Sequence, residues 1–236
     1  MMARRGVMGV LAGAAVAVLG GCGVLGGNSY RFKLTVEVET PKGLRTGSSV
    51  YEVLAFKTSE LITGGTSSDS TIKGEAVAVD LLGGKTLFAL LKTANPSGHD
   101  DLVYMSMRTL DPAFKYNRVE GARRISSGDG IRSPSDVAPA DYPLLVTFRD
   151  IRDPASVEKV DPGNLAANFG PGVRLKRITV EVTDEDVTTG IEKRLGWFTR
   201  YLDRHLDGTS ASIEDLTSDS PSAHMSSRSF STEIGK

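Results

Sequence analysis

The chain of 236 residues has a single cysteine, Cys22, so neither an internal disulfide nor a multi-cysteine metal centre can form, and stability must come from packing. Histidine is almost as scarce. His99, His205 and His224 are the only imidazoles available as a general base or metal ligand. Neither sign of charge is in excess, with 28 basic against 29 acidic residues. A nucleic-acid partner is therefore not expected, because such binding draws on a basic stripe that displaces counterions. No apolar run reaches the roughly 20 residues of a spanning helix. The longest, Gly6 to Leu19, is short and rich in Gly and Ala.

What is there begins with an address. Met1 to Arg5 is basic, Gly6 to Leu19 is apolar, and Leu19-Gly20-Gly21-Cys22 closes the run with small residues, the layout of a leader cut by a peptidase. That ending resembles the lipobox of bacterial lipoproteins, whose cysteine sulfur receives a diacylglyceryl group before the new amino terminus is acylated. The resemblance implies a leader over 1–21, lipid on Cys22 and a tether over 22–29. Buried methylenes contribute about 0.8 kcal/mol each, so two or more chains hold a protein to a membrane stably. A plain secretory peptide is the alternative, and Arg4-Arg5 also raises twin-arginine export. Losing 1–21 removes two basic and no acidic residues, taking the formal charge from −1 to −3.

Residues 30–206 read as one β-rich globular domain. From Tyr30 to Thr40, Phe32, Leu34, Val36 and Val38 alternate with polar residues, as a strand with one packed face requires. Pro41-Lys42-Gly43 turns the chain into a second strand over Ser48 to Phe56. Thr58 to Ser70 reads as a polar loop. Glu75 to Leu82 and Thr86 to Lys92 flank Gly83-Gly84 as a second hairpin. Further strands are expected over Asp100 to Leu110 and Tyr142 to Phe148. The stretch 121–141 reads as a loop and a possible sub-boundary.

Asp153-Pro154 and Asp161-Pro162 each open a short helix, the second ended by Gly170. In Val173 to Thr183 the apolar phase slips by one residue near Lys176-Arg177, which predicts a β-bulge there. Leu195, Phe198 and Leu202 suggest an amphipathic helix carrying Trp197 and Tyr201. Residues 207–236 are Ser-rich and read as a flexible tail. The fold class is mainly β or α+β, antiparallel hairpins forming a sheet or sandwich with a few short helices in the C-terminal half.

The stretches LTVEVETPKGLRTGSSV from Leu34, GEAVAVDLLGGKTLFALL from Gly74 and DPASVEKVDPGNLAANFGPGVRLKRITVEVTD from Asp153 resemble a group of uncharacterised proteobacterial proteins. The resemblance covers most of the mature chain and brings no activity, fold or ligand. It implies a Gram-negative type of envelope. There, a lipoprotein with Gly23 rather than Asp after the cysteine is expected at the outer membrane, facing the periplasm, rather than at the inner one.

Chemistry is thinly represented. Gly83-Gly84-Lys85-Thr86 has the end of a phosphate-binding loop, but Val79 stands where its first glycine belongs, so a hairpin turn explains it better. His99-Asp100-Asp101 could face a divalent metal or simply form a loop. No Gly-x-Ser-x-Gly elbow occurs. No catalytic residue, metal ligand or cofactor is assigned. Arg174, Lys176 and Arg177 beside the bulge form the candidate interaction surface, for an acidic partner or lipid headgroup. The function expected is a lipid-anchored envelope protein acting as a non-enzymatic binding or assembly module, with an envelope protein as possible partner. The alternative is an envelope hydrolase or metal-dependent enzyme assembled from distant residues.

Overall fold

The computed structural model describes residues 27–59, 66–94, 102–210 and 218–233. Strand β1 (Asn28–Thr40) buries Tyr30, Phe32, Leu34, Val36 and Val38, while the odd-numbered residues between them stay partly wet. It pairs antiparallel with β2 (Gly43–Ser59), and Phe32 lies opposite Tyr51 with the rings stacked at 5.1 Å. β2 pairs antiparallel with β3 (Thr66–Lys73), so the polar stretch expected as a loop is partly strand.

On the other side of β1 lies β9 (Arg174–Val182), edged by the two-residue β6 (Ser135–Asp136). These form a five-stranded sheet in the order β3-β2-β1-β9-β6. A second, four-stranded antiparallel sheet contains β4 (Val77–Asp80), β5 (Thr86–Thr93), β7 (Pro143–Phe148) and β8 (Val157–Lys159) in that order. Mainly antiparallel β structure with short helices is therefore what the sequence folds into.

The inner face of the larger sheet is covered in two parts. At one end sit α1 (Leu102–Leu110) and α2 (Arg118–Ser127), with the Tyr30 hydroxyl 2.7 Å from Ser106 Oγ. At the other end β4 crosses β2 so closely that a Cβ on Gly47 would stand 2.2 Å from the Ala78 carbonyl oxygen. Only glycine permits that approach. One hydrophobic cluster joins both parts, each fully buried Leu, Val or Phe contributing about 1.5–3 kcal/mol.

Several expectations are corrected. Residues 102–110 form a helix, not a strand: Leu102 to Met107 are all buried, so no surface stripe betrays the helical period. The stretch 121–141 holds most of α2, then β6, and puts Ala122, Ile125 and Val137 into the common core, so it is no boundary. Asn117 caps α2 by accepting from Glu120 N–H at 3.1 Å. Gly121 inside it is required by packing, since a Cβ would meet the Phe114 ring at 2.9 Å. Asp111, buried at the end of α1, takes both Arg124 Nε (2.9 Å) and Nη2 (3.2 Å), joining the two helices. Residues 198–201 form a 3-10 turn rather than an amphipathic α-helix.

The two Asp-Pro pairs behave differently. Asp153 caps the 3-10 turn Pro154–Ser156, and α3 (Ala166–Phe169) stops at Gly170, whose φ is 98°; Asp161-Pro162, however, does not open α3, which starts four residues further on behind Leu165, and Asp161 instead closes a separate turn by accepting from Gly163 N–H at 2.8 Å.

The largest correction concerns the serine-rich end. Residues 218–233 pack onto the domain, with Phe230 fully buried among Phe88, Phe148 and Trp197 at centroid separations of 5.8, 5.9 and 5.8 Å. Its carbonyl accepts from Ala76 N–H at 2.8 Å, and Thr232 N–H donates to the Gly74 carbonyl at 3.1 Å. Serine here is not a sign of disorder. Ser227 Oγ satisfies the Phe198 carbonyl, and Ser231 Oγ donates to Glu75. Phe230→Ala is expected to lower the unfolding free energy by about 3–5 kcal/mol in urea melts. An unchanged midpoint would mean this segment lies outside the cooperative unit.

Candidate functional site

Arg174, Lys176 and Arg177 stand where the register predicts. Glu37 pairs with Arg177 but Val38 with Leu175, so Lys176 is the extra residue of a β-bulge. The bulge turns these cations onto the acidic outer face of β1. Arg177 Nη2 and Lys176 Nζ both lie 2.9 Å from Glu37 oxygens, and Arg174 Nε donates to Glu39 at 2.6 Å. Arg177, then Lys176, hold the Glu37 carboxyl down to about 2. The surface is thus a cross-strand charge ladder whose cations already have partners. It continues through Arg31 with Glu52 and Lys33 with Glu185.

A different cluster lines a concavity. A cleft of about 630 Å³ is bounded by Arg152, Asp153, Pro154, Arg200, Tyr201, Arg204 and Gly208. Its positions are fixed from beneath. Trp197, buried, donates its indole N–H to the Ile151 carbonyl at 2.9 Å, and Phe198 is buried beside it, so the following turn presents Arg200 outward. Arg152 is held by Asp150 through two bonds of 3.0 and 2.9 Å. Arg200 and Arg204 form no ion pair among the described residues, in contrast to Arg149, Arg152, Arg174, Arg177 and Arg194 nearby in sequence. Paired guanidinium groups beside a tyrosine suit a carboxylate or phosphate group, which they can grip bidentately. Sequence pattern does not single out Arg200 and Arg204, because they sit in an irregular stretch whose apolar neighbours mimic a helical period.

Arg152 also borders a second concavity of about 400 Å³, lined by Gly83 to Thr86 and Arg149 to Ile151. The Gly-Gly-Lys-Thr stretch is the β4–β5 turn, both glycines having φ near 70° (71° and 74°), and Lys85 Nζ donates to the Asn168 carbonyl. The described histidines are turn residues. His205 Nδ1 is 3.3 Å from Thr209 Oγ1, yet that hydroxyl gives its proton to Asp207 Oδ1 at 2.6 Å, the geometry of a closed turn rather than an activated nucleophile. His224 Nε2 lies 2.6 Å from the Ser218 carbonyl. No three metal-ligating side chains converge among the described residues. His99-Asp100-Asp101, and Leu19, Gly20, Gly21 and Cys22, lie outside them.

A third concavity, about 230 Å³, is lined by Glu75, Ser48 and Thr188 to Ile191. Glu75 is 3% exposed; its Oε2 accepts from Ile191 N–H at 2.8 Å and its Oε1 from Ser231 Oγ at 3.3 Å. Burial raises its carboxyl above the ordinary value despite these donors. Compared with known proteins, the chain matches no family model, no curated protein and no solved structure. Among the described residues no helix is long and apolar enough to cross a membrane.

The two perturbed carboxylates oppose each other with pH. Glu37 titrates lower when folded, so its stabilisation is complete above about 4.5 and disappears as pH falls towards 2. Glu75 titrates higher when folded, so its contribution is present below the ordinary carboxyl value and is lost as pH rises through the raised one. Glu37→Gln should flatten the acid limb of a stability profile, by on the order of 1 kcal/mol given the half-exposed Arg177 partner. Relative to wild type, Glu75→Gln should gain stability as pH rises from acid to neutral. Parallel urea-melt profiles for wild type and both variants would contradict the assignment.

Proposed function

We propose that this chain is a lipid-anchored cell-envelope protein, held by Cys22 and facing the periplasm, whose folded domain is a non-enzymatic binding module. The leader ending in Leu19-Gly20-Gly21-Cys22 supports the anchor. Gly23, together with the resemblance to proteobacterial proteins, favours the outer over the inner membrane. The observation that carries the binding reading is the cleft in which Arg200 and Arg204 have no acidic partner among the described residues. Both guanidinium groups are exposed and make no ion pair among the described residues, so they are available to grip an anionic group on an envelope partner. Arg174, Lys176 and Arg177 are a weaker choice for first contact, because a partner would have to displace Glu37 and Glu39.

Affinity capture from detergent-solubilised envelopes tests this, using the intact lipoprotein, a Cys22→Ser control and the double variant Arg200→Gln/Arg204→Gln. The same partner should be recovered repeatedly, in a salt-sensitive manner, and the double variant should bind at least about tenfold more weakly, equivalent to about 1.4 kcal/mol. Mass spectrometry of the native product should find residue 22 amino-terminal and acylated. Absence of a reproducible partner together with turnover in a hydrolase substrate panel would favour the enzyme instead.

A further inference from the structure

The point where the chain enters the fold restricts which surface can meet a bilayer. Asn28, the first residue of β1, is six residues after Cys22. Even fully extended, such a segment reaches only about 20 Å. Whatever surrounds Asn28 is therefore held near the lipid if Cys22 carries it, and this inference rests on that reading of the anchor.

Beside Asn28 stands the beginning of α2: Asn28 Nδ2 donates to the Val119 carbonyl at 3.5 Å. Immediately before α2 is Tyr116, 70% exposed, next to the exposed Lys115. Among the described residues Tyr116 is the only non-glycine with positive φ, at 60°. That conformation costs a bulky residue on the order of 1 kcal/mol, yet here it holds an aromatic ring out in solvent. The ring is supported from behind by Phe114 and Tyr104, at 5.8 and 6.1 Å between centroids. The guanidinium of Arg118 lies 4.5 Å over the Tyr104 ring and donates to the Ser68 carbonyl at 3.2 Å, fixing the base of the group. Lys115 has no ion pair among the described residues.

An amphipathic ring beside a cation matches the chemistry of a bilayer interface, where tyrosine sits at headgroup level and lysine meets anionic phosphates. Among the described residues, the other large apolar side chain that is well exposed, Leu44 at 50%, lies in the β1–β2 turn region, across from Glu39. At 3.3 Å per residue this is about 36 Å along β1 from Asn28. We infer that Lys115-Tyr116 forms a second, non-covalent contact with the phospholipid surface, which sets the orientation of the tethered domain.

The test uses lipidated full-length protein in phosphatidylethanolamine/phosphatidylglycerol vesicles with shallow brominated acyl chains, comparing Tyr116→Trp with Leu44→Trp. The native Trp197 is 1% exposed and supplies a constant background. The emission added by Tyr116→Trp should be largely quenched, and that added by Leu44→Trp should not. As a check free of both substitutions, amide exchange at 115–118 should be slower in the vesicle-bound chain than in the soluble Cys22→Ser chain. With Cys22 shown to be acylated by mass, quenching at neither position, at both equally, or at residue 44 alone overturns the orientation and leaves the anchor intact. An unmodified Cys22 overturns the anchor and the orientation with it.

Discussion

The carboxylate of Glu75 is buried where four stretches of chain meet, and the arrangement of the whole domain passes through it. Its own carbonyl accepts the Tyr51 hydroxyl at 2.6 Å, its Oε2 receives Ile191 N–H, and its Oε1 receives Ser231 Oγ. Strand β2, the entry to β4, the stretch after β9 and the C-terminal segment are thereby joined at one point. None of these contacts is local in sequence. Burying a charge is costly unless its lone pairs are satisfied, so the site holds only while every contributing stretch is in position. That cost makes the arrangement selective: a misplaced C-terminal segment leaves a buried carboxyl oxygen without its hydroxyl partner.

The chain after β9 shows how this anchorage extends outward. Thr183 N–H bonds to the Arg31 carbonyl at 3.1 Å, Lys33 pairs with Glu185 at 2.7 Å, and Thr188 N–H reaches the Val50 carbonyl at 3.1 Å. Residues 183–188 thus cross the polar side of β1 and finish on the far edge of β2. Val50, an outward position by strand alternation, is only 3% exposed as a result. The crossing protects sheet-edge backbone groups that would otherwise invite pairing with another chain. Its end at Gly190 and Ile191 is held by Glu75, so the outer layer and the core share a fastening.

How much of this can be read from residues alone depends on whether the determining contacts are near in sequence. Strand β1 alternates because one face packs and the other is wet, and the slip between Leu175 and Ile178 shows directly as the bulge at Lys176. The β4–β5 hairpin is declared by Gly83-Gly84. By contrast, α1 is buried nearly all round and loses its periodic signature, while α2 contains Gly121, a helix breaker in isolation that packing against Phe114 demands. The C-terminal serines look like a solvated tail because serine composition carries no record of buried partners such as the Phe198 carbonyl. The candidate site was less legible still. Arg174, Lys176 and Arg177 are conspicuous as a cluster but meet Glu37 and Glu39 across the strand pair, whereas Arg152 joins Arg200 and Arg204 only through the docking of Trp197 under Ile151.

Strand direction then separates the two surfaces that matter. β4 begins near Tyr51 and runs past Gly47, which pairs with Val36, eight residues along β1 from Asn28. At 3.3 Å per residue that is already about 26 Å from the entry of the chain, and the β4–β5 turn lies further on in the same direction. This turn shares a concavity with Arg152, which also borders the arginine cleft. Screening in physiological salt acts over about 8 Å, several times less than this separation. Were lipid on Cys22 to hold the Asn28 end at a bilayer, anionic headgroups there would exert little pull on Arg200 and Arg204. An anchor at that end would leave the cleft electrostatically available at the other, and the length of β1, rather than any property of the arginines themselves, would keep a membrane from competing for them.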